Sequence, residues 1–376
     1  MKKVTAGMHI AELPTPCLIV DLDKMERNIT SWQEEVSSHN CALRPHIKTH
    51  KIPDIAKMQI AAGAKGITSA KVSEAEVFAR EGINDIYIAY PIVGQDKWQG
   101  AAELARENRI IVGADSEIGL RGLSAAAVRA GSTIEIRIEF ESGLGRSGAP
   151  REKVLELCRL AESLPGLELN GLMTYRSTAF AGAKNRDVEE VGREEGELLI
   201  EAGAQMRAAG IEIKELTGGS TPTGKAVAKV PGISEVRPGT YVFNDYICEF
   251  WNVADYDDCA LSILTTVVSR PSEQTATVDG GSKTFAGDLW PSNFGAQGYA
   301  RAAGQEAPIE AYVARMSEEH GVVHLADESL DWKIGERVAF HPIHVCTTVN
   351  LSDELVGVRN GKVEVVWPVA ARGKRT

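Results

Sequence analysis

Short β-branched runs alternate with longer helix-forming stretches through the first two thirds of the chain, and this rhythm limits the fold more than any other feature. The runs are CALRPHI (41–47), KGITS (65–69), DIYIAY (85–90), NRIIVG (108–113), TIEIRIEF (133–140), LELNGLM (167–173), IEIKELT (211–217) and a shorter one near Val236. Helix-like stretches lie between them at 52–62, 73–81, 97–106, 116–130, 151–164 and 186–209, with a weaker one at 223–230. Strands that alternate with helices pair in parallel and are covered by those helices. Eight such units predict an α/β fold, a closed (β/α)8 TIM-type barrel, with an open doubly wound sheet as the competing arrangement.

After about Tyr256 the rhythm changes. ALSILTTVVS, QTATVDG, PIEAYVARM, VVHLA, ERVAFHPI and KVEVVWPVA are strand-like with little helix between them, and a loop-rich part from Gly287 to Gly304 interrupts them. The expected division is a barrel over 15–252 and a mostly β domain over 253–376, joined by the N-terminal segment 1–14.

Composition removes whole classes of function. With 376 residues, 43% of them hydrophobic, the chain can bury a substantial core, so a disordered or fibrous reading fails. The formal charge of -11 argues against nucleic acid or an acidic membrane surface as partner. No apolar run is long enough to span a bilayer, and MKKVTAGMHIAELPTP lacks the apolar centre of a signal peptide, so a cytoplasmic location is expected. Six cysteines, none in a close pair, give neither a disulfide framework nor a zinc ribbon. Cys17, Cys41, Cys158, Cys248 and Cys259 read as small core residues, and Cys346 is set apart by its neighbours.

In a barrel, active sites assemble where strands end. The first strand ends in LRPHIKTHK, a basic cluster containing Lys48 in an acidic chain. Arg146 follows the fifth strand in ESGLGRSG, Tyr175 and Arg176 follow the sixth, and TGGSTPTG (217–224) follows the seventh. Successive amides in that glycine-rich run can converge on an anion, with hydroxyls from Ser220 and Thr221, although a tight turn built from permissive residues reads equally well. The run fits neither a Walker sequence nor a dinucleotide fingerprint. A lysine and a phosphate cradle on one rim suit pyridoxal 5'-phosphate, which needs an amine to carry it, donors for its phosphate and a partner for its ring nitrogen. Lys48, the GGST loop and Arg146 are the candidates for these three tasks.

The segments RPHIKTHK, AAGAKGITSAKVSEAE, ESGLGRSG, GGSTP, RPGTYVFND, SEEHGVVHL, HPIHVCTTVNL and VWPVAARG, together with their order, resemble the fold-type III pyridoxal phosphate enzymes of the D-threonine aldolase and D-serine dehydratase group, relatives of alanine racemase. The resemblance runs from Thr15 to Gly373. It implies a barrel that holds the cofactor, a β domain that closes the site, and a homodimer. It implies a Schiff base on Lys48, Gly218, Gly219, Ser220 and Thr221 around the phosphate, Arg146 near the ring nitrogen, and Tyr175 and Tyr241 as further cofactor-side residues.

An arginine at the ring nitrogen stays charged and does not readily accept a proton, which weakens the ring as an electron sink. A metal on a substrate hydroxyl is one remedy. His344 and Cys346 form a His-x-Cys pair that, on an extended segment, puts both side chains on one side, although packing explains such a pair as well. The resemblance implies a divalent metal here. Zn2+ is favoured, since a thiolate suits it better than Mn2+ or Mg2+. In the resembled group, aldolases typically show His-x-Asp with Mn2+ and dehydratases His-x-Cys with Zn2+.

The expected function is therefore that of a lyase on D-3-hydroxy amino acids, leaning to D-serine dehydratase-type elimination that gives a 2-oxo acid and ammonia, with Lys48 as base at Cα. The alternative is D-threonine aldolase-type retro-aldol cleavage to glycine and an aldehyde. Aldolases of the group tend to carry a histidine directly after the tyrosine matching Tyr175, and here the residue is Arg176. That arginine has two readings, a site for a second carboxylate, as in 3-hydroxyaspartate, or a surface ion pair. His46 and His50 read as packing or hydrogen-bonding groups. Asp279 and His320 are candidates near the metal or substrate. Trp251 and Trp290 read as packing or pocket walls.

Overall fold

The computed structural model of this protein describes residues 3–176, 187–288, 295–304, 308–326 and 330–376. Trp290 and the first residue of the helix expected at 186–209 lie outside them. The chain divides into one unit of Met1–Thr30, Thr49–Ile52 and Thr240–Arg372, and another of Ser31–Lys48, Pro53–Gly239 and Gly373–Thr376.

Strand β1 (Cys17–Asp21) comes first in sequence but belongs to the mostly β unit described below. In the other unit, β2 (Ala42–Leu43), β3 (Ile67–Ser69), β4 (Asp85–Ile88), β5 (Arg109–Ala114), β6 (Ile134–Glu139), β7 (Leu167–Met173), β8 (Glu215–Gly218) and β9 (Glu235–Val236) form one sheet in the order β2-β9-β8-β7-β6-β5-β4-β3. Every pairing in it is parallel. The ring is shut between the ends of that order: Lys65 N–H donates to Leu43 O at 2.9 Å and Thr68 N–H to Pro45 O at 2.7 Å, next to a parallel bridge from His46 to Thr68. The expected (β/α)8 barrel is thus the fold, and all eight expected strands contribute. Their apolar residues are buried on both faces, as helix-covered parallel strands must be.

The intervening helices are α2 (Pro53–Ala61), α3 (Val72–Arg80), α4 (Gln95–Leu104), α5 (Glu117–Ala130), α6 (Val154–Ser163), α7 (Val188–Ala208) and α8 (Gly224–Ala228). Helix α1 (Leu22–Ser38) precedes them and is absent from the helices expected above. Gly171 in β7 is required by close approach, since a Cβ there would lie 1.9 Å from Glu215 O of β8.

A buried ion network fills part of the ring. Glu235 accepts from Arg44 Nε at 3.0 Å and from Arg137 Nη1, and all three side chains are fully buried. Arg109 grips Glu135 with two bonds of 2.7 and 2.8 Å, and Asn170 links Glu135 to Arg137 at 2.8 and 2.9 Å. Burial alone would raise the Glu235 carboxyl, but Arg137 and Arg44 outweigh it and hold it far below the usual range.

The other unit is built on a nine-stranded sheet in the order β11-β14-β13-β12-β15-β10-β1-β16-β17. Its remaining strands are β10 (Leu261–Ser272), β11 (Thr275–Val278), β12 (Ala300–Ala303), β13 (Pro308–Met316), β14 (Gly321–Leu325), β15 (Arg337–Pro342), β16 (Glu354–Arg359) and β17 (Lys362–Pro368). Strand β11 also pairs with β10, so the sheet curls back on itself. Met8, Leu13 and Ile19 pack with Leu264, Val356 and Val363, which places the N-terminal segment in this core. Short helices α9 (Tyr246–Phe250), α10 (Ser282–Phe285) and α11 (Val345–Leu351) complete it. No helix among the described residues is long and apolar enough to cross a membrane.

Candidate active site

Past β2 the chain passes through the buried Arg44 and Pro45 into a 3-10 turn, Ile47–Thr49, that carries Lys48. The Lys48 side chain is exposed, and its backbone N–H reaches His46 Nδ1 at 3.4 Å. Lys48, Tyr90, Asp115, Arg146, Tyr175 and Arg237 are among the residues around a cavity of about 560 Å³. That volume suits a small cofactor together with an amino acid.

Two arginines share this cavity. Arg146 is exposed and lies 4.6 Å over the Tyr175 ring. Arg237 is buried, donating from Nε to Thr217 Oγ1 at 3.0 Å and from Nη2 to Thr174 O at 2.7 Å. Its guanidinium also faces the buried Tyr87 ring at 5.7 Å, which meets Arg137 at 4.6 Å. Sequence reasoning missed Arg237. The signal was present, because this arginine follows the eighth strand directly and opens the RPG segment noted only for Tyr241.

The glycine-rich loop differs from the expected cradle of free amides. Gly219 N–H donates to Glu195 Oε1 at 2.8 Å, and Ser220 N–H donates to Thr223 Oγ1 at 3.1 Å. The reason is a carboxylate from α7: Glu195, fully buried, also accepts from Thr223 Oγ1 at 3.0 Å and from Arg176 N–H at 3.3 Å. Thr221 Oγ1 accepts from Gly239 N–H at 3.2 Å. Ser220 and Thr221 are buried and supply the loop's hydroxyls. Arg176 itself is ion-paired with Glu194 at 3.0 Å.

In the β unit, His344 and Cys346 meet by a route other than the expected one. The segment is not extended. His344 is the N-cap of α11, and Cys346 lies in its first turn. The β-branched Val345, Thr347 and Thr348 suggest a strand, but a distant group starts the helix: Asp245, fully buried, accepts Val345 N–H at 3.0 Å and also caps α9 through Cys248 N–H at 3.1 Å. Cys346 Sγ lies 3.2 Å from Thr49 Oγ1, and His344 Nδ1 lies 3.1 Å from Asp288 Oδ2. Burial works against charge on His344, but the Cys346 sulfur and the Asp288 carboxylate outweigh it and hold the imidazole well above its usual value. Imidazole beside thiol is a donor set that fits Zn2+, with two positions left for small ligands. Among the described residues no group of three or more His, Cys, Asp and Glu is arranged around one metal position.

The other candidates are placed as follows. Tyr241 is fully buried in the 3-10 turn Thr240–Val242. Asp279 accepts from Thr15 Oγ1 at 2.6 Å and Thr266 N–H at 2.8 Å, tying the N-terminal segment to β10. His320 is exposed in the turn between β13 and β14. His50 is buried and its Nδ1 accepts Ile52 N–H at 3.0 Å.

Residues 20–246 match the family of the alanine racemase N-terminal domain, and residues 260–358 match a putative serine dehydratase domain. The chain is a fold-type III pyridoxal phosphate enzyme. Within that family it is 34% identical to a D-threonine aldolase of an Arthrobacter species, over 98% of this chain and 95% of that one. It is 33% identical to the 3-hydroxy-D-aspartate aldolase of Paracoccus denitrificans, over 98% and 94%. A D-serine dehydratase of Dictyostelium discoideum is 24% identical over 74% of this chain and 75% of that one. Among solved structures, D-threonine aldolase from Filomicrobium marinum superposes with a TM-score of 0.89 at 31% identity, covering 99% of this chain and 100% of that one. A cysteine-to-alanine variant of D-threo-3-hydroxyaspartate dehydratase, in its metal-free form, gives 0.88 at 27%, covering 96% and 98%. This fold-type III enzyme is a lyase of the group that acts on D-3-hydroxy amino acids by aldolase or dehydratase chemistry. The expected elimination on D-serine is less supported than aldolase or hydroxyaspartate-type chemistry, because the aldolases and a D-threo-3-hydroxyaspartate dehydratase, 30% identical over 89% of this chain, match at higher identity and coverage than the D-serine dehydratase does.

Proposed function

We propose that this enzyme cleaves D-3-hydroxy amino acids with an uncharged side chain, of the D-threonine type, to glycine and an aldehyde. Full-length similarity to a D-threonine aldolase carries this reading. Arg176 supports the choice of side chain, since its guanidinium, the candidate for a second carboxylate, is engaged by Glu194.

Lys48 is the residue that would hold pyridoxal phosphate, with Ser220 and Thr221 at its phosphate; when bound, the cofactor supplies an electrophilic carbonyl and a sink for the electrons of the broken bond. Arg237, rather than Arg146, is assigned to the ring nitrogen: it is buried and fixed by two acceptors, whereas Arg146 is exposed at the mouth. A guanidinium there cannot take a proton, so the nitrogen stays neutral. Arg146, stacked on Tyr175 at the mouth, suits the substrate carboxylate. Lys48, as the free amine, would take the β-hydroxyl proton as the Cα–Cβ bond breaks and return one proton to Cα, so that the proton lost by oxygen is balanced by the one gained by carbon. His344 and Cys346 would hold a divalent metal, Zn2+ by donor type, whose chemistry is to acidify the β-hydroxyl.

A second reading, elimination to a 2-oxo acid and ammonia, is favoured by the His-x-Cys pair, given the likeness to a dehydratase with a metal-free cysteine variant. Incubation with D-threonine, with Zn2+ or Mn2+ restored after chelation, separates the two. Acetaldehyde and glycine are expected; 2-oxobutyrate and ammonia in their place overturn the aldolase assignment. D-3-hydroxyaspartate as the better substrate would overturn the choice of side chain.

A further inference from the structure

Glu195 is a buried carboxyl that the chemistry above does not use, although it touches both rim loops. Its bonds to Gly219 N–H, Arg176 N–H and Thr223 Oγ1 form one hydrogen-bonded unit with Ser220, whose Oγ lies 3.0 Å from Thr223 Oγ1. The direction of this chain is set by counting protons. A hydroxyl has one proton to donate, and an ionised carboxylate has none.

When Glu195 is ionised, Thr223 must spend its proton on Glu195 Oε2. Thr223 Oγ1 then accepts both the Ser220 N–H and the Ser220 hydroxyl proton. Ser220 is left with lone pairs to offer a phosphate, and the carboxylate beneath the loop repels the same anion. When Glu195 carries a proton on Oε2, that proton goes to Thr223, and the Thr223 proton goes to Ser220 Oγ. The Ser220 hydroxyl is then free to donate, while Gly219 N–H keeps its acceptor at Oε1.

We propose that Glu195 is a positioning residue that works as the neutral acid, turning the Thr223–Ser220 hydroxyl chain toward the cofactor phosphate, and that phosphate binding draws one proton from solvent onto this carboxyl. The proposal rests on the phosphate assignment under the proposed function. The surroundings agree with it. Burial raises the Glu195 carboxyl to about 7, against the pull of Gly219 N–H, the Arg237 charge and Thr223. Arg237 is the cation facing it; Arg176 gives only its N–H, its guanidinium being on Glu194, and Lys225 of α8 lies over the Trp32 ring.

Glu195→Gln imitates the neutral acid, since its amide oxygen accepts Gly219 N–H and its NH2 donates to Thr223. The test titrates stripped protein with pyridoxal 5'-phosphate and with pyridoxal, which lacks the phosphate. The preference for the phosphate form in the wild type, relative to that in E195Q, is expected to fall about 25-fold between about pH 6.5 and 8.5, one proton titrating near 7. The cofactor's own ionisation cancels in that comparison. E195Q with the wild-type pH profile, or with weakened pyridoxal phosphate binding at the lower pH and unchanged pyridoxal binding, overturns the proposal. Thr223→Val is the second variant: it removes the acceptor that takes the Ser220 proton, so the Ser220 hydroxyl is free to donate at either pH and the fall in phosphate preference is expected to shrink; a wild-type profile in T223V also overturns the proposal. A wild type with no preference for the phosphate form would instead refute the loop assignment beneath.

Discussion

Arg237 Nε donates to Thr217 Oγ1 at 3.0 Å, which fixes a buried cation at the root of the loop that follows β8. Replacing Arg237 with methionine removes that cation and strands the Thr174 carbonyl, a buried acceptor whose loss of partner costs about 1–3 kcal/mol. R237M is expected to lower kcat/KM by about tenfold or more, about 1.4 kcal/mol of transition-state stabilisation. R146A, at the exposed mouth, is expected to raise KM with a smaller change in kcat. Steady-state kinetics on D-threonine checks both, and the reverse pattern would exchange the roles of the two arginines.

Lys48→Ala should remove the visible absorbance of lysine-bound cofactor, even in the presence of excess pyridoxal phosphate. Survival of that band in K48A would take the tether away from Lys48.

His344→Ala and Cys346→Ala are each expected to give purified protein depleted in divalent metal by elemental analysis. Asp245→Asn offers a finer measurement. Its carboxylate holds the Val345 N–H between the two donors, so a fall in metal affinity of about 10- to 100-fold is expected. Wild-type metal content in H344A and C346A would leave those residues as packing.

Within the barrel, Glu235→Gln removes the carboxylate paired with the fully buried Arg137 and one of the two paired with the fully buried Arg44, whose other partner is Asp85. Breaking such a pair costs about 3–5 kcal/mol, read as a drop in Tm or in the denaturant midpoint. A change within experimental scatter would show that Arg44 and Arg137 find other partners.

His341 gives a pH prediction for stability. Burial, helped by Lys24 and Arg301, lowers its imidazole from 6.5 to about 4. The unfolded chain therefore takes up a proton as pH falls below 6.5 while the native chain resists until about 4. Stability is whole above that window and declines within it by about 3 kcal/mol. His341→Phe, which keeps a ring against Tyr256, is expected to flatten the decline in denaturant melts across this range. An unchanged acid limb in H341F would place the effect on other groups.

The barrel was legible because its strands are buried on both faces and so appear as apolar runs at helical intervals. Cys17–Asp21 escaped that logic: as a single run before the first repeat, its partners β10 and β16 lie far along the chain. Lys48 and the glycine-rich loop stood out because a basic cluster in an acidic chain and consecutive glycines at strand ends are visible locally. Glu195 did not, since one glutamate among many on α7 shows its burial only in three dimensions. The His344–Cys346 segment misled for a related reason. Its β-branched residues favour a strand, and the carboxylate that starts the helix comes from Asp245, far away in sequence.

The seam that shuts the ring runs through Leu43, Pro45 and Thr68, immediately before Lys48. A chain in which this seam has not joined lacks a fixed place for that amine, however complete its other strands are. Acquisition of colour on mixing with pyridoxal phosphate during refolding would therefore time the joining of this edge, and a variant slow to zip it would be recognised by late coloration before any substrate is added.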